Sequence, residues 1–233
     1  MDLKRKKGII VGGGPVNYRL LSNELKAGYD LLVAADGGGK PLYDLGYIPQ
    51  VLLGDFDSLA PVYKELLTNQ GAEMVSYQKE KDWTDLELSI ELLIDKGIND
   101  ILVFGGIGGR LDHTLANLSL LYRAKVAGVD VAMIGIAQMV IFLSPKEQII
   151  LSPFAGGHFS LVPLFEVVEG VKIKGAKFPL ENATIEFGST LGIHNEFLET
   201  AVEISFQTGY LYLILEGIQQ WNGKQDIFQR LPV

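Results

Sequence analysis

Six short, largely apolar runs recur between residues 8 and 135, and none of them alternates strictly between polar and apolar positions. They are GIIVGG (8–13), LLVAAD (31–36), VLLGD (51–55), AEMVSY (72–77), ILVFGG (101–106) and VDVAMIG (129–135). Strands of that kind belong in a parallel sheet covered on both faces. Helical patterns fall between several of the runs. Asn17 to Ala27 carries apolar residues at 18, 20, 21 and 25. After Trp83, Thr84 and Glu87 have capping-box spacing, Leu86, Ile90, Leu93 and Ile94 make one face, and Gly97 ends the segment. A further helix is predicted from Asp112 to Ala127, stopped by Gly128. Strands alternating with helices predict an α/β domain, doubly wound on a mostly parallel sheet with right-handed crossovers.

The pattern changes at about residue 144. FSLVPL, GVKIKGAKFPL, ATIEF, AVEISF and GYLYLILEGI have period-two character and are separated by Gly, Pro and Asn, which predicts antiparallel β structure. Tyr210 and Tyr212, with Leu211 and Leu213 on the opposite face, read as a half-buried strand. The expected organisation is therefore an α/β domain over 1–143 and a small antiparallel β-sandwich or partial barrel over 144–233.

Charge and composition remove several function classes. A net charge of −8 argues against general affinity for nucleic acid or anionic membrane. The absence of cysteine excludes disulfides, thiolate catalysis and Cys-based zinc sites. The basic run Lys4 to Lys7 is followed by no apolar stretch of signal-peptide length and reads as a solvated lead-in. Val131 to Leu143, the most apolar segment, is too short to span a bilayer and contains Gln138. A soluble, cytoplasmic protein is expected.

Open parallel sheets bind ligands beyond the carboxyl ends of their strands. Asp36 closes the second run, Asp55 and Asp57 follow the third in GDFDS, and Asp82 and Asp85 follow the fourth in KDWTD. The fifth run leads into GGIGGRLDH, with Gly105, Gly106, Gly108, Gly109, Arg110 and Asp112. Carboxylates crowded at one rim repel unless a cation joins them. Oxygen ligands without His or Cys point to Mg²⁺, which completes its shell with water and substrate phosphates. Asp55 and Asp57, two apart on an extended segment, would project the same way. The glycine loop offers backbone N–H groups to phosphate at a helix start, and Arg110 adds a forked, permanently charged donor. The first loop, VGGGPVN, is either a second phosphate loop or a tight strand–helix turn. It lacks the third glycine of the dinucleotide fingerprint, and no GxxxxGK[ST] occurs: Gly39-Lys40 is followed by Pro41 and position 34 is Ala. His113 and Asn117, four apart on the predicted helix, both reach the rim. The residues thus describe an Mg²⁺-dependent transferase acting from a nucleoside triphosphate onto a small molecule.

DGG (36–38), GDFDS (54–58), KDWTD (81–85) and GGIGGRLDH (105–113) with Asn117, in that order and spacing, resemble the thiamin pyrophosphokinase family. In the second half, GAKFPLEN (175–182) and STLGIHNE (189–196) resemble the β-domain segments of bacterial members. The resemblance implies transfer of the pyrophosphoryl group of ATP to the hydroxyl of thiamin, giving thiamin diphosphate and AMP. It also implies a homodimer in which thiamin lies where the catalytic domain of one subunit meets the β-domain of the other. By motif, Asp55, Asp57 and Asp85 would be the metal carboxylates. Gly13, Asp36, Gly37, the 105–109 glycines, Arg110 and Asn117 would hold the nucleotide. Asp57, Asp85, Asp112 and Arg110 would act in catalysis, and Phe178, Ser189, His194 and Asn195 would face thiamin. Two positions depart from the family pattern. His194 stands where Ser is expected, and Trp83 is an unusually large ring that reads as core packing or as a platform for a base. The competing readings are an ATP-dependent kinase or pyrophosphokinase of another small alcohol, motivated by His194, and a non-catalytic nucleotide or thiamin sensor.

Overall fold

The structure, a computed structural model, describes residues 5–77 and 82–231. Lys4 of the basic lead-in and Lys81 of KDWTD lie outside the described residues. The chain divides into two compact units, Met1–Ile136 and Ala137–Val233, whereas the sequence pattern changes at 144.

The first unit runs β1 (Lys7–Val11), α1 (Tyr18–Ala27), β2 (Leu31–Ala35), α2 (Gly39–Asp44), β3 (Val51–Gly54), α3 (Pro61–Asn69), β4 (Glu73–Ser76), α4 (Asp85–Asp95), β5 (Asp100–Phe104), α5 (Leu111–Val126) and β6 (Asp130–Ile134). The six strands are parallel, in the order β4-β3-β2-β1-β5-β6. The chain winds outward from β1 to β4 and then returns to the other side of β1, which places the switch point between β1 and β5. Strands β1, β2, β3, β5 and β6 are buried almost along their full length, as runs covered on both faces must be. Strand β4 departs from that expectation: it is the last strand of its side and is largely exposed.

Local signals account for three of the helices. Asn17 caps α1 by accepting from the N–H groups of Arg19 and Leu20. Thr84 Oγ1 accepts from Glu87 N at 3.2 Å and starts α4, whose buried face holds Leu86, Ile90 and Leu93. Helix α5 ends at Ala127, before Gly128 at φ 79°. Helices α2 and α3 were not predicted, because neither has a side-chain cap and α2 is only six residues long. The basic lead-in is also less solvated than expected. Lys7 Nζ pairs with the fully buried Glu24 carboxylate, and Arg5 pairs with Asp130. Among the described residues no helix is long and apolar enough to cross a membrane.

The second unit is entirely β: β7 (Gln138–Leu143), β8 (Gln148–Leu151), β9 (His158–Pro163), β10 (Val168–Lys174), β11 (Leu180–Ile185), β12 (Asn195–Glu196), β13 (Val202–Ser205), β14 (Leu211–Glu216) and β15 (Phe228–Leu231). Antiparallel pairing gives two layers, β7-β14-β9-β12 and β11-β10-β13-β8-β15. Alternating burial along β9 and β13 turns one side of each layer into the sandwich core. Strand β14 differs from the half-buried strand read from its tyrosines. Leu211, Tyr212 and Leu213 are all buried, and burial pushes the Tyr212 hydroxyl up to about 12.

Candidate active site

The loops after β1, β2 and β5 meet at the switch point through their backbones. Gly12 N donates to Phe104 O at 2.7 Å, and Gly14 N donates to Gly105 O at 3.1 Å. No side chain fits in this seam. A Cβ on Gly105, which sits at φ 69°, would stand 2.4 Å from Gly12 O, and one on Gly38 would stand 1.8 Å from Val11 O. The first glycine loop is therefore a tight turn that also walls the cleft.

Beyond the seam lies a cleft of about 610 Å³, lined by the β1 and β5 loops, Asp36, Ser58, Trp83, Asp85, Arg110, His113 and Asn117. Asp36, Asp55 and Asp57 each offer a carboxylate oxygen within 4.8 Å of the others. Their convergence is not that of an extended segment. Phe56 adopts φ 64° with its ring buried, and Asp57 N folds back to donate to Asp55 Oδ1 at 3.1 Å. Desolvation by burial raises the Asp36 pKa. Asp85, Asp57 and Asp55 raise it further, while a hydrogen bond from Ser58 acts in the opposite sense. Asp36 Oδ1 is buried without a hydrogen-bond partner. An orphaned buried acceptor among like charges suits a hard, oxygen-seeking divalent ion. Asp85 opens α4 on the same cleft, and Asp82 is exposed.

Arg110 stands at the N-terminus of α5 and grips Asp112 with two bonds, Nε to Oδ1 at 3.1 Å and Nη2 to Oδ2 at 2.6 Å. The guanidinium and the His113 N–H hold the Asp112 carboxyl down at about 2. Asn117 is buried and donates to Gly106 O at 2.7 Å, so it fixes the glycine loop. Trp83 is 57% exposed at the cleft, which excludes the core-packing reading. Ser58 was missed as a site residue. Its hydroxyl donates to Asp57 Oδ1 at 3.1 Å beside Asp36, a role that its place in GDFDS could have suggested.

The four residues expected to face thiamin lie in the second unit but not in one place. Phe178 and Asn195 line an apolar groove with Thr190, Leu191 and Ile193. The Ser189 hydroxyl accepts from Leu191 N at 3.1 Å within the adjoining turn. His194 lines a different concavity, together with His158.

The description "Thiamin pyrophosphokinase, catalytic domain" matches residues 22–133, and "Thiamin pyrophosphokinase, vitamin B1 binding domain" matches residues 143–211. The chain is 33% identical over 205 residues to a thiamine pyrophosphokinase of Bacillus subtilis (strain 168), covering 88% of this chain and 96% of that protein. It is 28% identical to thiamine pyrophosphokinase 1 of Oryza sativa subsp. japonica, covering 79% and 78% respectively. The crystal structure of thiamine pyrophosphokinase from Bacillus subtilis superposes with a TM-score of 0.82 at 30% identity, over 92% of this chain and 100% of that one. The enzyme from Geobacillus thermodenitrificans gives 0.78 at 30% identity, over 92% and 99%.

Proposed function

This chain belongs to the thiamin pyrophosphokinase family, and from that membership we propose how its own residues carry the reaction. The enzyme transfers the pyrophosphoryl group of ATP to the hydroxyl of thiamin, giving thiamin diphosphate and AMP. The observation that carries the assignment of the site is the convergence of Asp36, Asp55 and Asp57 beside the glycine seam.

ATP would lie with its phosphates over the loops after β1, β2 and β5, including Gly13, Gly37, Gly105, Gly106, Gly108 and Gly109. Arg110 and the N-terminus of α5 supply positive charge there. Asn117 holds the loop in shape through Gly106 O. Asp55, Asp57 and Asp85, with Asp36, would hold Mg²⁺. When bound, that ion would neutralise phosphate charge and ease departure of AMP. The thiamin hydroxyl oxygen forms the new bond to the β-phosphorus, and the bond from that phosphorus to the oxygen bridging to the α-phosphate breaks. The bridging oxygen leaves on AMP, and the hydroxyl proton passes to a carboxylate. Asp57, Asp85 and Asp112 are the candidates, and Asp112 is a poor proton acceptor while Arg110 grips it. Engagement of Arg110 by the phosphates would free it. Positioning and charge compensation do most of the work in such transfers.

Phe178, Ser189 and Asn195 are assigned to the thiamin side. A thiazolium cation suits an aromatic wall beside acidic groups. A cytoplasmic homodimer completes the proposal. Its support is the exposed apolar set Phe178, Phe187, Leu191 and Ile193, which a second copy would cover. Incubation with ATP, Mg²⁺ and thiamin, read by mass spectrometry, tests the reaction: AMP and thiamin diphosphate are expected in equal amounts. ADP with thiamin monophosphate would overturn the assignment, and binding of both substrates without turnover would return the sensor reading. Light scattering tests the dimer.

A further inference from the structure

Two of the chain's three histidines meet in the second unit, apart from the aspartate rim. The His158 and His194 rings lie 4.4 Å apart between centroids, tilted by 44°. His158 starts β9, and the residues paired with it are Glu196 on β12 and Glu216 on β14. Directly paired residues of an antiparallel ladder share a face, with Cβ atoms about 4.5–5.5 Å apart. His194 enters this face from a left-handed backbone, φ 56°, with its N–H donating to Ser160 Oγ at 3.0 Å. Both rings and Glu196 line one open concavity.

Imidazole nitrogen combined with carboxylate oxygen is the donor set of Zn²⁺ and its first-row neighbours rather than of Mg²⁺. Two imidazoles at this spacing repel when both are protonated, and a shared cation replaces that repulsion with attraction. Glu196 is already engaged by Lys177 Nζ at 2.7 Å, whereas Glu216 has no ion pair among the described residues. We propose that His158, His194 and Glu216 form a binding site for a divalent transition-metal ion, with water completing the shell, distinct from the Mg²⁺ rim. Among the described residues only Asp36, Asp55 and Asp57 already hold three ligand atoms within 4.8 Å. Here the carboxylate closes on the ion by rotation of the Glu216 side chain. The ion ties β9, β14 and the segment entering β12 together.

The test is titration of chelator-stripped full-length protein with Co²⁺ in saturating Mg²⁺, read by calorimetry and by visible absorption. The wild type should bind Co²⁺ saturably with a ligand-field spectrum. H194S and H158Q should each weaken that binding at least about tenfold, and E216Q should weaken it less. D57N should leave it unchanged. Wild-type melting temperatures in H194S and E216Q, both surface changes, would keep the comparison free of folding effects. No saturable binding by the wild type, equal binding by H194S and H158Q, or loss confined to D57N would each overturn the site.

Discussion

The amide of Asn195 holds the backbone of Phe178 at both ends. Its Oδ1 accepts from Phe178 N at 3.0 Å, and its Nδ2 donates to Phe178 O at 2.7 Å. Asn195 is 3% exposed, so neither of its polar atoms has water as an alternative partner. Phe178 is thereby presented outward, at the mouth of the groove assigned to thiamin. Asn195→Ala removes the side-chain partner of three backbone groups, Phe178 N, Phe178 O and Glu196 N, and should cost about 1–3 kcal/mol, at roughly 2–4 °C of melting temperature per kcal/mol. The KM for thiamin should rise more than kcat falls. Thermal unfolding and steady-state kinetics check this, and an unchanged melting temperature would remove the clamp from the account.

Asp36 and Asp57 should separate stability from activity. Both Asn variants are expected to lose turnover by about 10²-fold or more, because each removes a carboxylate assigned to the metal. Without divalent ions, Asp36→Asn should melt higher than the wild type. It removes a charge that burial and three neighbouring carboxylates disfavour. The sign follows from linkage: a carboxyl whose folded pKa is raised loses stability as pH climbs through its ordinary range. Asp36→Asn should therefore flatten the fall in melting temperature just above pH 4. An Asn variant less stable than the wild type at pH 7 would contradict the argument.

The Arg110–Asp112 pair predicts a titration shift without a stability change. Asp112 is held at about 2, so its favourable contribution is present above an ordinary carboxyl pKa and lost as pH falls toward 2. Both side chains are mostly solvent-exposed, at 71% and 64%, so the pair should add little to stability. Arg110→Gln should raise Asp112 toward the usual carboxylate range, with the His113 N–H still holding it below, as read by NMR titration, with an unchanged melting temperature. Activity should drop by about 10²-fold through loss of the phosphate contact.

Gly105 and Gly128 form a controlled comparison, since both have positive φ but only one is crowded. A Cβ on Gly128 meets nothing within 4 Å, so Gly128→Ala should cost about 1–2 kcal/mol. Gly105→Ala adds a clash with Gly12 O and should cost clearly more. It should also raise the KM for ATP, whereas Gly128→Ala should not. Chemical denaturation of the two variants decides the matter.

What could be read in advance had a local cause. Asn17, Thr84, Gly97 and Gly128 announce helix ends through their own side chains or their lack of one, and the corresponding helices were found there. Helix α3 starts at Pro61 behind Ala60 with no side-chain cap, and α2 fills six residues, so neither announces its start through a capping side chain. The carboxylate cluster was visible because Asp36, Asp55 and Asp57 follow strand ends. The left-handed Phe56 that brings two of them together was not, since an aromatic residue gives no hint of that conformation. Contact between His158 and His194 depends on which strands pair across the sheet, and nothing near either residue in sequence encodes it. The same holds for the bonds between the Asn195 amide and the Phe178 backbone, seventeen residues away.

The glycine seam between β1 and β5 carries one more consequence. Its contacts run from backbone to backbone, so the glycine wall proposed to face the phosphates depends on no rotamer. The entropy of ordering that surface is settled when the sheet folds, well before a nucleotide arrives. Nucleotide binding to those glycine N–H groups would then carry no loop-closing penalty, whereas Arg110 would first have to leave Asp112. The same rigidity makes the rim hard to retune: a substitution there alters the sheet as well as the ligand contact.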